Sequence, residues 1–325
     1  EFRRVLFRSK IIMKKNLRNI LVLSLGLITT IASAQWSADS RTRIDNTDSE
    51  NRTATQRLTV GADWGGIHAS YDVNYDLNNG AATHDVYEAY ASTDLMGFGT
   101  LTVGRQDLSF GSGALISSNN WGMNRYTNDG VSLSMELASV NITAGTMGGI
   151  NTDANYMNAS TSLAGAEVNI LMMNDGDNSA HGYDISYAMG DFSMSVSMNA
   201  DYSENEYNSY GLSYQVFDNL SASVSQTSNE GGFSMANTAL SGGWANGNIG
   251  YLGAGDEDRA MGISYDLGDI TLGYTTHNVT NEDEGEESDY EATEMHIGYS
   301  LNDNANISIS KMGGTDTEMT DRKSV

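Results

Sequence analysis

The 325-residue chain carries 35 glycines, no proline and no cysteine, and 42 Asp and Glu stand against 17 Lys and Arg. Lack of cysteine excludes disulfides, thiol catalysis and cysteine metal sites, and so acidic a balance repels nucleic acid and anionic polymers. A chain without proline suits nearly continuous sheet, where each missing N–H would break a ladder.

The first segment reads as a leader. Residues 1–9, EFRRVLFRS, and 321–325, DRKSV, resemble translated adaptor sequence. On that reading 1–12 is a non-native extension, 321–325 a non-native tail, and the native C-terminus lies beyond Thr320. Met13, Lys14, Lys15 and Arg18 then form a basic n-region, and Ile20 to Ile31 an apolar run too short to span a membrane. Ala32-Ser33-Ala34 supplies a small-x-small cleavage site. Residues 13–34 are therefore expected to be a secretory signal, leaving 35–320 as the mature domain. That domain keeps eight Lys and Arg against 40 Asp and Glu, a net charge of −32.

Past the leader the dominant period is two. Ile67, Ala69, Tyr71, Val73, Tyr75 and Leu77 alternate with His68, Ser70, Asp72, Asn74 and Asp76. Val131-Leu133-Met135-Leu137, Phe192-Met194-Val196-Met198, Tyr210-Leu212-Tyr214-Val216 and Met261-Ile263-Tyr265-Leu267 repeat the pattern. One face is aliphatic or aromatic, and the other is Ser, Thr, Asn, Gly or acidic. No later segment holds 18 consecutive apolar residues, so no membrane helix is expected. The alternation suits a soluble sandwich or a membrane barrel turned inside out.

Loop lengths decide between them. Nineteen strands are expected, near 36–46, 53–64, 67–77, 84–95, 99–107, 129–137, 140–148, 155–163, 166–174, 181–189, 192–201, 208–216, 220–227, 232–241, 247–253, 259–267, 270–278, 290–300 and 305–312. Glycines blur the register of 232–241 and 247–253. Connections after even strands are mostly tight, as at Gly65-Gly66, Ala138-Ser139, Ala164-Gly165 and Gly190-Asp191. Those after odd strands are longer and polar, as at 174–180, 201–207 and 278–289. Such sorting is the layout of a transmembrane antiparallel up-and-down β-barrel in the outer membrane of a Gram-negative cell. The fold class is all-β. Because bacterial barrels have even counts, 18–20 strands are expected, the last lying beyond the chain.

The longest connection, residues 108–128, is LSFGSGALISSNNWGMNRYTN. It is too apolar for a tip in solvent and is expected to fold into the lumen as the constriction. Arg105 and Arg125 bracket it. Arg41, Arg43 and Arg57 lie with Arg52 on or between the first two strands, while Glu88, Asp107, Glu136 and Glu167 come from others. Opposed charges across a narrow lumen order water and select polar solutes, whereas simple pairing of each Arg with a neighbouring carboxylate would not. Tyr90 and Trp121 are the aromatic candidates for stacking a sugar. The expected constriction thus comprises Arg41, Arg43, Arg57, Glu88, Tyr90, Arg105, Asp107, Trp121, Arg125 and Glu136.

Residues 86–133 resemble a stretch of outer-membrane porins of the alginate-export type. The matching positions are Ala89, Tyr90, Gly104, Arg105, Gln106, Gly111, Asn119, Asn120, Trp121, Arg125, Asp129 and Gly130. The resemblance implies a monomeric barrel of about 18 strands whose name-giving members pass an anionic polysaccharide through a basic lumen. Eight cations against 40 acids fit a general porin better.

Other chemistry is sparse. His68, His84, His181, His277 and His296 show no i,i+4 pair and no metal spacing, and no segment places a Ser beside a His for hydrolysis. The acidic loops Asp175-Gly176-Asp177, Asp256-Glu257-Asp258 and Glu282 to Glu287 could hold Ca²⁺ or Mg²⁺, though a solvated loop explains them as well. No cofactor and no catalysis are expected. The reading is a passive pore for small hydrophilic solutes with cation preference, surrounded by outer-membrane lipid. Its oligomeric state, monomer or trimer, is left open. An oligosaccharide channel and a non-conducting structural or adhesive barrel are the alternatives.

Overall fold

The computed structural model describes residues 35–46, 52–118, 125–148, 153–233, 252–281 and 289–314. The leader and both ends lie outside them. Seventeen strands occur among the described residues: β1 (Gln35–Asn46), β2 (Arg52–Trp64), β3 (Ile67–Asp76), β4 (Ala82–Asp94), β5 (Thr100–Gln106), β6 (Asn128–Leu137), β7 (Val140–Thr146), β8 (Asn155–Leu163) and β9 (Ala166–Asp175). They continue as β10 (Asn178–Met189), β11 (Phe192–Ala200), β12 (Glu206–Phe217), β13 (Leu220–Glu230), β14 (Asp256–Asp266), β15 (Ile270–Asn281), β16 (Tyr290–Asn302) and β17 (Ala305–Gly314). Each pairs antiparallel with the next in sequence, from β1–β2 to β16–β17, as an unbroken up-and-down meander. No helix among the described residues is long and apolar enough to cross a membrane.

Burial shows which way the sheet faces. Tyr187, Met194, Leu212, Val224 and Met261 form one row of cross-strand partners over β10–β14. Four of them, Met194, Leu212, Val224 and Met261, are exposed. On the opposite face Ser70, Asp72, Asn74, Asn158, Ser197, Asp258, His277 and Glu294 are buried. A soluble sandwich would bury the first set and expose the second. Here the polar face is enclosed and the apolar face is presented outward, as a lipid-facing wall requires.

The connections sort as expected, with three differences. The tight end includes Gly65-Gly66, Ala138-Ser139, Ala164-Gly165 and Gly190-Asp191, and positive φ at Gly65, Gly66, Ala138, Ser139, Ala164, Gly165 and Gly190 accounts for the glycine and small residues there. At the other end β5–β6 is joined by 107–127 and β13–β14 by 231–255. First, the loop expected at 174–180 is a two-residue turn, because the ladder of β9 and β10 runs up to Asp175↔Asn178. Second, the expected strands 232–241 and 247–253 fall almost wholly on residues outside the described ones. β13 pairs directly with β14, Leu220↔Tyr265 through Asn229↔Asp256, leaving no place between them. Residues 234–251 themselves lie outside the described residues. Third, seventeen strands occur among the described residues, against the nineteen expected.

An apolar cluster sits inside the wall toward the long-loop end. Ala114, Leu115 and Ile116 from the β5–β6 loop pack with Met147, Tyr156, Leu171, Met173, Ala180, Tyr207, Phe233, Leu252, Val279, Tyr290 and Ala292. Leucine and phenylalanine in a loop are explained by this burial: the loop is an interior element.

Candidate functional site

Strand register places the charged residues. Arg57 of β2 faces inward, buried with 6% of its surface exposed. Its partner Arg41 and, two residues on, Arg43 share that face because side chains two apart along a strand point the same way. Asp39, opposite Thr59, belongs to the same face. Arg41, Arg43 and Arg57 of the expected arginine arc thus share one face, and the side chain of Arg52 lies outside the described residues.

At β4 the ladder slips. Ser70 pairs with Glu88 while Tyr71 pairs with Val86, so Tyr87 is an extra residue in a bulge. Bulges re-aim side chains, and here Tyr87 is turned inward beside Glu88. The Tyr87 hydroxyl donates to Asp107. Its ring carries the Arg125 guanidinium 3.1 Å above the centroid. Arg125 Nε donates to Asp72 Oδ2 at 2.9 Å, and Nη2 donates to Asp72 Oδ1 at 2.6 Å and to Thr59 Oγ1 at 2.9 Å. Arg57 lies within electrostatic reach of Arg125, Asp72 and Asp39. Arg125, the C-terminal end of the long loop, is thereby clamped to the inner wall of β2–β4. Glu88 belongs to the same patch: its Oε1 accepts the Asp107 N–H at 3.2 Å.

The loop's N-terminal half crosses to the far wall. Ser197 of β11 donates to Asp184 of β10 at 2.6 Å, and its Oγ lies 2.9 Å from the Ser112 hydroxyl, which is left to donate to it. Asn158 of β8 donates to Asn169 of β9 at 2.7 Å. A Cβ at Gly111 would fall on the Asp184 carboxylate, so only glycine allows this approach. The Phe110 and Tyr156 rings lie 5.4 Å apart. The segment 107–118 therefore spans from β5 to the inner faces of β8–β11, as the inward-folding expectation required.

The other candidates divide. Tyr90 faces inward and stacks on His68 with centroids 4.9 Å apart. Glu136 shares its face with Ser132 and Ser134 and is exposed to the lumen. Arg105 is a correction. It pairs with Ala89 and Asp129 on the outward face, and its Nε and Nη2 donate to the two Asp129 oxygens at 2.8 and 3.0 Å. It braces the rim of β5–β6 and does not line the pore, since odd residues of β5 continue the outward row of Ala69 and Ala89. Trp121 lies outside the described residues.

The acidic segments expected as loops are placed in part by the described residues. Asp256, Glu257 and Asp258 belong to β14, where alternate residues point to opposite faces and cannot converge on one ion. Asp175 ends β9 at a tight turn, and 282–287 lie outside the described residues. Sequence reading missed Thr59, Asp72, Tyr87, Asp184 and Ser197, the residues that the arginine and the loop engage. Asp72 was visible as a polar position of a clean alternation; the others have no local signal.

Comparison with known proteins decides the family. A Gram-negative porin family model matches residues 23–324. The chain belongs to the Gram-negative porins. It is an outer-membrane diffusion channel, and the passage of small solutes follows from membership. No curated protein matches it. Among solved structures this porin is similar to OccK5 (OpdH) of Pseudomonas aeruginosa, with 11% identity, TM-score 0.67, and 87% of this chain and 93% of that one covered. OpdK with vanillate, from the same organism, gives 12% identity, TM-score 0.64 and coverage of 87% and 93%. OccK2 (OpdF) in complex with glucuronate gives 14%, 0.63, and 87% and 92%. At such identities the likeness concerns the fold. The kinship with alginate-export porins expected from residues 86–133 is not supported by these matches.

Proposed function

We propose that this porin passes small hydrophilic solutes with a preference for cations, and that the inward-folded 107–118 segment sets its constriction. The carrying observation is the inward charge. Asp39, Asp72, Glu88, Glu136, Glu167, Asp184, Asp258 and Glu294 face inward on β1, β3, β4, β6, β9, β10, β14 and β16. Arg41, Arg43, Arg57 and Arg125 oppose them from one arc, and Arg125 is already neutralised by Asp72. Net negative potential in a low-dielectric tube concentrates cations, and the arginine arc facing acidic walls supplies a transverse field across the loop. Ca²⁺ or Mg²⁺ taken up by the acidic run 282–287 would offset part of that negative charge.

Reversal potential in a planar bilayer under a salt gradient tests the reading. A cation-selective potential is expected; an anion-selective one refutes the preference, and absence of conductance refutes the open pore and favours a structural barrel. A second reading rests on the arginine arc alone. Arg41, Arg43 and Arg57 sit on adjacent strands with the same orientation, a geometry suited to a carboxylate-bearing solute such as the glucuronate held by OccK2. Block of current by glucuronate, lost in Arg43→Gln, would favour that reading, and stacking of a neutral sugar on Tyr90 would favour an oligosaccharide channel.

A further inference from the structure

Two of the five histidines share an arrangement that no local spacing announces. His68 of β3 stands between carboxylates of the flanking strands: its Nδ1 lies 2.8 Å from Asp63 Oδ1 of β2, and its Nε2 lies 3.3 Å from Glu88 Oε2 of β4. His277 of β15 repeats this with Asp258 Oδ2 of β14 at 2.8 Å from Nδ1 and Glu294 Oε2 of β16 at 4.0 Å from Nε2. All six side chains are on the inward face. His68 follows the tight turn at 65–66, whereas His277 lies near the long-loop end, so the two stand at different heights in the lumen.

The protonation logic is fixed by the aspartates. An ionised carboxylate only accepts, so each Nδ1 donates to its aspartate, and each Nε2 faces a glutamate oxygen. The His68 Nε2 atom is buried and makes no hydrogen bond. An imidazole nitrogen and a carboxylate oxygen at this range can serve one cation as two ligands. A carboxylate on the far imidazole nitrogen also orients histidines toward metal ions and raises their basicity. Metal–ligand bonds of about 2.1 Å bridge donors separated by up to about 4.2 Å, which admits both the 3.3 and the 4.0 Å gaps. The supports are in place at the first site. Glu88 Oε2 is 3.5 Å from the Ser70 hydroxyl, Glu88 Oε1 accepts the Asp107 N–H at 3.2 Å, and Tyr90 stacks on the imidazole at 19° between planes.

We infer that His68–Glu88 and His277–Glu294 are two stations for a divalent transition-metal cation inside the pore, each with its aspartate as the orienting partner. Imidazole with carboxylate selects Zn²⁺-like ions over Mg²⁺ and Ca²⁺, which prefer oxygen alone. Among the described residues no group of three His, Asp or Glu is arranged to close around a metal. Each station therefore supplies two donors and leaves the rest to water, the open form from which an ion can leave, as conduction demands. This deepens the cation-accepting reading of the lumen and rests on it.

The test is a calorimetric titration of the full chain, folded in detergent, with Zn²⁺ in an excess of Mg²⁺, with conductance recorded on the same preparation. Two sites are expected. His68→Gln and His277→Gln should each remove one, and the pair should remove both. Asp63 is more than half exposed, so Asp63→Asn spares the fold; it should weaken the first site about 10- to 100-fold. Undiminished Zn²⁺ uptake by the double histidine variant, or an Asp63→Asn variant equal to the parent, overturns the stations. So does a pair of histidines that only take up a proton. Conductance without Zn²⁺ sites refutes the stations and leaves the pore, whereas histidine-dependent sites in a silent barrel refute the pore and uphold the stations.

Discussion

Arg125 and Asp72, 53 residues apart, meet in two charge-assisted hydrogen bonds with only 9% and 5% of their side chains exposed. The pair fastens the end of the constriction loop to β3, and the Tyr87 ring beneath the guanidinium removes water from one side. Arg57 lies close by, so the carboxylate also offsets repulsion between two guanidinium groups. Asp72→Asn should leave an uncompensated buried cation and cost about 3–5 kcal/mol. Arg125→Lys keeps the charge and loses the fork, so its cost should be smaller. Urea midpoints of the detergent-folded barrels give the order; equal midpoints for Asp72→Asn and the parent would show that the pair is not needed.

Gly111 sets how closely the loop lies on the far wall. Its φ of +57 is left-handed, and a side chain there would collide with Asp184 and stand 2.6 Å from Asn169 Nδ2. Gly111→Ala should lift the loop from β9–β10 and break the Ser112–Ser197 bond. Single-channel conductance should rise while selectivity falls, because the charges no longer face each other across the narrowest section. Unchanged conductance would place the constriction elsewhere.

Gly104 answers to a different constraint. Its φ is +133, and a Cβ would lie 2.8 Å from Tyr90 Cα, with the Ala89 carbonyl nearer still. Backbone cannot move aside as a side chain can. Gly104→Ala should cost about 1–3 kcal/mol for the strained backbone, with the clash added. Gly80 is the control: its φ is +75 with nothing within 4 Å, so Gly80→Ala carries only the left-handed penalty of about 1–2 kcal/mol. The difference between their urea midpoints isolates the close approach of β4 and β5.

Much of the wall was legible because a barrel writes its fold locally. The alternation from Ile67 to Asp76 and the turns at 65–66 and 138–139 are short-range signals that tertiary packing did not override. The interior was less legible, because it depends on register between strands. Arg105 looked like a partner of Arg125 since both flank one loop, yet one ladder step turns it outward toward Asp129. Tyr87 was missed because its inward aim comes from a bulge, an insertion with no compositional mark. The histidines show no local spacing, because the carboxylates beside them stand on neighbouring strands five to twenty residues away. β13 pairs directly with β14, a neighbour relation that alternation within each strand does not state.

The inside-out orientation itself can be tested with neighbouring residues of one strand. Val224 lies midway along β13 on the outward row with Leu212 and Met261, and Ser223 beside it faces inward with Ser213 and Gly262. An arginine at position 224 must enter hydrocarbon, at a cost of about 2–4 kcal/mol near the bilayer midplane. An arginine at 223 enters the wet lumen and can extend toward water, so folding should be nearly unaffected. That same charge should instead reduce cation selectivity, since it opposes the acidic wall. Refolding into lipid vesicles at graded urea, together with reversal potentials, separates the two effects. If Ser223→Arg is the variant that unfolds and Val224→Arg the one that shifts selectivity, the faces are reversed and the lumen assignments fall with them.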